Sequence, residues 1–523
     1  MSFSQPNHSA ATNTRLRTGA DYCPFSGMCV TCVDGCTGLC EIGKSAYRAA
    51  EVLYPQPFGG STSAAQKDYP VDLSHLNIMG TAVGAVGIEA DPDVATFPNV
   101  NLETAVCADK GLKLRLPFVI PGLGSTDVAK NNWDGLAIAS AISGTILTIG
   151  ENVCGMDEGS VIENGRVVDS PDMARRVKLF QKWYEGYGAI VVQSNVEDTR
   201  LGVLEYALDK LGVEIVELKW GQGAKDIGGE VKIRELEKAQ MLKGRGYIVL
   251  PDPEDPVVKD NFYKTFSEFE RHSRIGMVDE GDFVKRVQEL RDAGAKYVFL
   301  KTGAYRPADL ARAVKFSSLA KIDLLTVDGA GGGTGMSPWR MMNEWGIPTV
   351  HIAAMTYNYA KCLADRGEYV PDIAIAGGIT LEDHIVKALA MGAPYFKLVG
   401  MARSVVAACM VGKTIGKLIE EENLPKNIQA YGNSLEEIFV AVPELKERFG
   451  DRFKDIPPAA IGLYSYFKRL SQGVRQLMCG TRKFALEYLG RDDLASLTKE
   501  AAEITGIPYI MDIDREEVDK ILG

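Results

Sequence analysis

Directly after the apolar run Ile322 to Val327 the chain reads Asp328-Gly-Ala-Gly-Gly-Gly-Thr-Gly-Met-Ser-Pro338. Backbone this bare lets amide N–H groups come close to a ligand, and in α/β folds such turns sit at the carboxyl ends of strands. It offers a floor for a cofactor or substrate. A second chemical feature lies near the amino terminus. Five of the ten cysteines, Cys23, Cys29, Cys32, Cys36 and Cys40, are spaced Cys-x5-Cys-x2-Cys-x3-Cys-x3-Cys, with glycines between them. Four thiolates converging on a cubane need close spacing on a short, glycine-loosened loop, so five candidates serve the four positions of a [4Fe-4S] cluster. A four-cysteine zinc knob, whose ligand pairs normally stand further apart, and a disulfide framework, which a reducing compartment disfavours, are the competing readings. Cys107, Cys154, Cys362, Cys409 and Cys479 are scattered singly, as small buried hydrophobes usually are.

Other chemistry-bearing residues follow short apolar runs. They are Ile120-Pro-Gly-Leu-Gly-Ser125, Gly150-Glu151, Gln193-Ser-Asn with Arg200 beyond it, Lys219-Trp-Gly-Gln-Gly-Ala-Lys225, and Lys301. Any one of these could be a solvated lysine or an ordinary turn; their common position is the signal. Ala376-Gly-Gly-Ile-Thr-Leu-Glu-Asp383 and Val399-Gly-Met-Ala-Arg-Ser404 each place glycine between an apolar run and a helical pattern. Free N–H groups there could face a phosphate, with Arg403 adding a charge-assisted contact. A capping role for Thr380 with Asp383 needs no ligand.

Eight short β-rich runs must position these residues: Phe118-Val-Ile-Pro, Thr145-Ile-Leu-Thr, Ala189-Ile-Val-Val-Gln, Glu214-Ile-Val-Glu-Leu, Tyr297-Val-Phe-Leu, Asp323-Leu-Leu-Thr-Val, Asp372-Ile-Ala-Ile-Ala and Tyr395-Phe-Lys-Leu-Val. Most are separated by helical patterns, which predicts an α/β chain folded as a (β/α)8 TIM barrel; a miscount by one would permit a doubly wound sheet. Thr349-Val-His-Ile reads as an extra short strand in the sixth connection. The fourth connection, 219–284, is long enough to be a functional excursion. The expected division is a Cys-rich iron–sulfur module and linker at 1–70, a barrel extension at 71–116, the barrel at 117–411 and a C-terminal helical wrap at 412–523.

The order of these segments resembles the FMN-binding synthase domain of glutamate synthases over roughly residues 100–480. The most specific strings are Gln222-Gly-Ala-Lys and Gly332-Gly-Thr-Gly. The resemblance implies a (β/α)8 barrel, bound FMN, and reduction of the imine of 2-oxoglutarate and ammonia to glutamate, a step of amino-acid biosynthesis. It places FMN against Gly124, Ser125, Gln193, Lys301, Gly332, Gly333, Thr334, Gly335, Gly377, Gly378, Gly400 and Arg403. Lys219, Gln222 and Lys225 then lie near the flavin or the keto acid, and Arg200 is a candidate for a substrate carboxylate. The chain departs from the family in having Ala330-Gly331 where the usual form has His-Asp, and only Cys409 where the large type carries three cysteines after the last barrel strand.

The implied partners are 2-oxoglutarate, ammonia or an amine from solvent or another subunit, a separate electron-donor subunit, and a separate glutaminase subunit, in a homo- or hetero-oligomer. Two alternatives stay open: an N-methylglutamate synthase-type subunit using methylamine, and a non-catalytic flavin and iron–sulfur electron-transfer subunit. No Gly-x-Gly-x-x-Gly follows a strand, so a pyridine-nucleotide reductase would be a separate protein. Net charge is −11 from 58 basic and 69 acidic residues, which leaves no basic face for nucleic acid. The longest apolar stretch, Tyr395 to Val411, is interrupted by Lys397 and Arg403, and the start carries no signal-peptide pattern. A cytoplasmic protein without a membrane span is expected. With only five histidines, histidine-centred acid–base chemistry is disfavoured.

Overall fold

The computed structural model of the protein describes residue 46 and residues 67–523, apart from 108–109, 224–226, 229 and 333–336. Cys23, Cys29, Cys32, Cys36, Cys40, Lys225, Gly333, Thr334 and Gly335 lie outside the described residues.

Eight parallel strands close into a barrel: β1 (Phe118–Leu123), β2 (Ile146–Ile149), β3 (Ala189–Ser194), β4 (Ile215–Lys219), β5 (Tyr297–Thr302), β6 (Leu324–Asp328), β7 (Asp372–Ala376) and β8 (Phe396–Gly400). These are the eight apolar runs of the sequence. Strands covered on both faces read as continuous hydrophobic stretches, and β3, β5 and β6 are buried at every residue. The ring is closed by Val399 beside Phe118 and Gly400 beside Val119. Pro121, which has no N–H for the ladder, sits where the β1–β2 register shifts between Ile120 and Leu123.

A hairpin of Thr104–Val106 and Leu112–Leu114 stops the amino-terminal mouth. Its Val106 and Leu114 pack with Val119, Ile146, Ala189, Ile215, Tyr297 and Leu324, all at or next to the first residue of a strand. The opposite, carboxyl-terminal mouth is left for chemistry. Over it stands the fourth excursion, an antiparallel sheet of Glu230–Ile233, Phe269–His272 and Ile248–Leu250 in that order, with its own small core around Leu242, Val249 and Phe269.

The helices α1 (Asp127–Ser143), α2 (Pro171–Trp183), α3 (Val203–Leu211), α4 (Glu280–Asp292), α5 (Pro307–Leu319), α6 (Thr349–Asp365), α7 (Glu382–Gly392) and α8 (Arg403–Glu420) follow the eight strands in turn. Thr349-Val-His-Ile is therefore not an extra strand but the first turn of α6. Pro348 stands at its N-cap, where the fixed φ and missing N–H cost nothing, and the alanine-rich stretch that follows carries the helix on. Helix α8 runs through residue 412, where the sequence reading ends the barrel.

Beyond it, α9 (Pro458–Gly480) lies across α1 and α8. A methyl group at Gly135 would strike the Ala459 side chain at 2.6 Å, and one at Gly462 would strike the Ala408 carbonyl at 2.7 Å, so these helices touch backbone to backbone. The C-terminal part is not wholly helical: Leu494–Ser496 pairs antiparallel with Leu76–Ile78 and ties the end of the chain to the segment before the barrel. Among the described residues no helix is long and apolar enough to cross a membrane.

Candidate active site

Side chains alternate along a strand, so Glu217 and Lys219 share the face of β4 that points into the barrel. Register brings Gln193 beside Glu217 and Lys301 beside Lys219. A buried polar ring results at the carboxyl mouth. Gln193 Nε2 donates to Glu217 Oε1 at 2.5 Å. Lys301 Nζ lies 3.2 Å from Asp328 Oδ2 at the end of β6. Lys219 Nζ donates to Glu151 Oε1 at 2.7 Å and to Gln222 Oε1 at 2.9 Å. Burial pushes the Glu217 carboxyl up from its ordinary range; the nearby Lys301, the Gln193 bond and Lys219 oppose this, and Glu151 adds to it. Gln193 Oε1, buried among these charges, has no hydrogen-bond partner among the described residues.

Lys219, Gln222 and Glu151 open onto a cleft that Asn195, Arg274 and Ile275 also line. The loop after β4 is held by Trp220 N donating to Lys301 O at 2.9 Å and by Tyr305 Oη donating to Trp220 O at 2.7 Å. Gly303 is required beneath it, since a Cβ there would meet the Gln222 carbonyl oxygen at 2.6 Å.

The glycine turn after β6 is folded against its neighbours. Gly329 N donates to Ala376 O, and Ala330 N to Ile347 O, both at 2.9 Å. A Cβ at Gly332 would meet Asp328 Oδ1 at 2.5 Å. Gly377, with φ +123°, and Gly378, with φ +91°, turn the chain after β7 in conformations that a side chain resists. Thr349 Oγ1 donates to Gly377 O at 2.7 Å and joins the two turns.

The remaining sequence candidates spread around the mouth. Gly124 lies against the Glu151 backbone, which leaves no room for a Cβ, and its carbonyl accepts from Arg176 at 3.0 Å. Ser125 follows it, half-buried. Gly400 packs on the Ala376 side chain, where a Cβ would come within 2.6 Å. Arg403 opens α8, exposed, with no ion pair or hydrogen bond among the described residues. Asp383 does not cap with Thr380; His384 Nδ1 accepts from the N–H groups of Thr380 and Leu381 at 3.3 and 3.4 Å, and Asp383 pairs with Lys387 instead.

Arg200 is not brought to the cluster. Glu197, three residues earlier on the helix Val196–Leu201, takes its guanidinium at 3.1 Å, and Gly246 O accepts from the same nitrogen at 3.2 Å. The side chain faces the excursion.

Sequence reasoning passed over Glu217, Asp328, Glu197 and Asp198. For Glu217 a signal existed, a charged residue inside an otherwise apolar strand run, two positions before Lys219. Asp198 is buried behind Glu151: its Oδ2 accepts from Asn152 N at 2.8 Å. Burial raises its carboxyl to about 7, with the Glu151 charge adding to the rise and the N–H groups of Asn152 and Asn195 opposing it. Among the described residues no group of three or more His, Cys, Asp or Glu is placed to hold a metal ion.

Residues 270–414 match the model of the conserved region in glutamate synthase. That span holds β5 to β8, and with them Lys301, Asp328, Gly332, Gly377, Gly378, Gly400 and Arg403. The chain is 28% identical over 198 residues to glutamate synthase large subunit-like protein YerD of Bacillus subtilis (strain 168), a match covering 37% of this chain and 34% of that protein. The matched part thus spans about a third of the relative's length. Among solved structures the chain is similar to a mutant flavocytochrome b2 with pyruvate bound, at 14% identity, 90% coverage of each chain and a TM-score of 0.48. It is also similar to a mutant of an active chimera of (S)-mandelate dehydrogenase, at 13% identity, 83% of this chain, 93% of that one and a TM-score of 0.43. This chain carries the conserved region of glutamate synthase over residues 270–414 and is a distant relative of glutamate synthase large subunit-like protein YerD.

Proposed function

We propose that the protein is an FMN-dependent oxidoreductase of the glutamate synthase kind, which reduces the imine of 2-oxoglutarate to glutamate. The observation that carries this reading is the buried ring of Gln193, Glu217, Lys301 and Asp328 beside Lys219, within a barrel whose second half matches the glutamate synthase region.

The residues fit a flavin mononucleotide. Gln193 offers a buried, unpartnered carbonyl oxygen able to accept a ring N–H, and Lys301 offers a cation at the same depth. The turns at Gly332, Gly377 and Gly378 present backbone without side chains, and Gly400 with Arg403 at the start of α8 suits a phosphate. When bound, the flavin supplies hydride transfer. The chain's own part is to orient and to hold charge. Lys219, paired with Glu151, would bind a keto-acid carboxylate, and Gln222 would fix its direction. Lys225 stands three positions beyond Gln222 in the sequence. Val196, Ile227 and Ile275 in the cleft favour an alkylated amine such as methylamine as the second reading of the amino donor.

The iron–sulfur role of Cys23, Cys29, Cys32, Cys36 and Cys40 rests on their spacing alone. Electron-donor and glutaminase partners rest on the resemblance.

The visible spectrum of anaerobically purified protein, with extraction and identification of the flavin and assay of iron and sulfide, tests the reading. One FMN per chain is expected. A protein that stays without flavin after incubation with FMN would end it.

A further inference from the structure

Glu197 is a buried carboxylate with two guanidiniums on it. Arg200 reaches it at 3.1 Å from its own helix, and Arg274 at 2.9 Å from the end of the excursion, whose backbone N–H adds a bond of 2.8 Å. Two guanidiniums thus share one carboxylate. Of the two arginines only Arg274 lines the cleft that holds Lys219.

The bonds of the Arg274 guanidinium all leave from one nitrogen. Its Nη1 serves both Glu197 oxygens and the Gly246 carbonyl, the last at 3.1 Å. Nε–H and the Nη2 hydrogens donate to nothing among the described residues. A guanidinium anchored by one nitrogen keeps a rigid two-donor edge, which matches the two oxygens of a carboxylate. Ile227 and Ile275 line the same cleft and suit the methylenes of a short chain.

We propose that Arg274 is the specificity-determining residue of this cleft, taking the second carboxylate of a dicarboxylic keto acid on its free Nε and Nη2 edge. The inference rests on the proposed function and adds the side chain that separates dicarboxylic from monocarboxylic substrates. The excursion thereby contributes directly to substrate choice.

Calorimetric titration of the full, cofactor-loaded protein with 2-oxoglutarate and with 2-oxobutyrate tests it. Arg274→Met should raise the Kd for 2-oxoglutarate about ten- to a hundredfold and leave that for 2-oxobutyrate within about twofold. Arg274→Lys keeps a cation beside Glu197 but loses the planar two-donor edge, so it should also lose about tenfold for the dicarboxylate alone. If circular dichroism shows the Met variant unfolded, the Lys variant decides. Unchanged 2-oxoglutarate affinity in a folded variant overturns the role of Arg274 and leaves the proposed function standing. Wild-type protein that binds neither keto acid overturns the proposed function and this inference with it.

Discussion

Lys301 Nζ stands 3.2 Å from Asp328 Oδ2, with both side chains withdrawn from solvent at the ends of neighbouring strands. Two charges at this depth persist because each compensates the other; removing one leaves the other buried and unpaired. Lys301→Met should therefore destabilise the protein by about 3–5 kcal/mol, and Asp328→Asn added to it should recover part of that loss. Chemical denaturation of the two variants checks this. A Lys301→Met protein as stable as wild type would mean that the Lys301–Asp328 pair does not support the fold.

Gly377 adopts φ +123°, and a Cβ there would run into Thr349 Oγ1 and would stand 3.0 Å from Gly329 Cα. Gly377→Ala should cost about 1–3 kcal/mol from the backbone conformation alone, and more from the contact. Thermal melts with and without added FMN should show lower stability and a smaller flavin-induced shift than wild type. Wild-type behaviour in both would remove the turn from the cofactor's surroundings.

The barrel was legible in the sequence because buried parallel strands leave unbroken apolar runs, from Phe118 to Val399. The excursion's three strands were not, since Lys232, Glu270 and His272 put charge into these runs and the first two strands of the sheet pair only across a long separation in the chain. Thr349-Val-His-Ile misled because β-branched residues at the start of a helix look like a strand until the chain beyond them is counted. At the site, Lys219, Gln193 and Lys301 could be picked as polar strand ends. Arg200 could not be placed, because its partner Glu197 is set by burial and not by any motif, and Arg274 reaches the cleft only through the fold of the excursion.

Asp198 gives a pH dependence of definite sign. Its carboxyl titrates at about 7 in the folded protein, against an ordinary value of 3.8. Between these values the folded state holds a proton that the unfolded chain has released, so this group's contribution to stability is full below about pH 4 and is lost as the pH rises to 7. Asp198→Asn should remove that slope, with the variant gaining on wild type by up to about 4 kcal/mol between pH 4 and pH 8. Equal pH profiles of unfolding free energy for the two proteins would contradict the assignment.

Gln193 donates to Glu217 at 2.5 Å, and its own oxygen has no partner among the described residues. On the proposed reading Gln193→Leu removes an acceptor from the flavin ring and a donor from a buried carboxyl. The Kd of FMN, read by fluorescence quenching on titration with flavin-free protein, should rise about tenfold or more. An unchanged Kd would place the flavin ring away from Gln193.

Anaerobically reduced, flavin-loaded protein mixed with 2-oxoglutarate and either ammonium or methylamine should reoxidise, with glutamate or N-methylglutamate found by mass spectrometry in proportion to the flavin oxidised. Lys219→Met should bind flavin as wild type does and lose this reaction by at least about a hundredfold, since Lys219 is the cation that the cleft presents beside Glu151 and Gln222. Fully loaded wild-type protein whose flavin stays reduced with both amines would contradict the proposed chemistry.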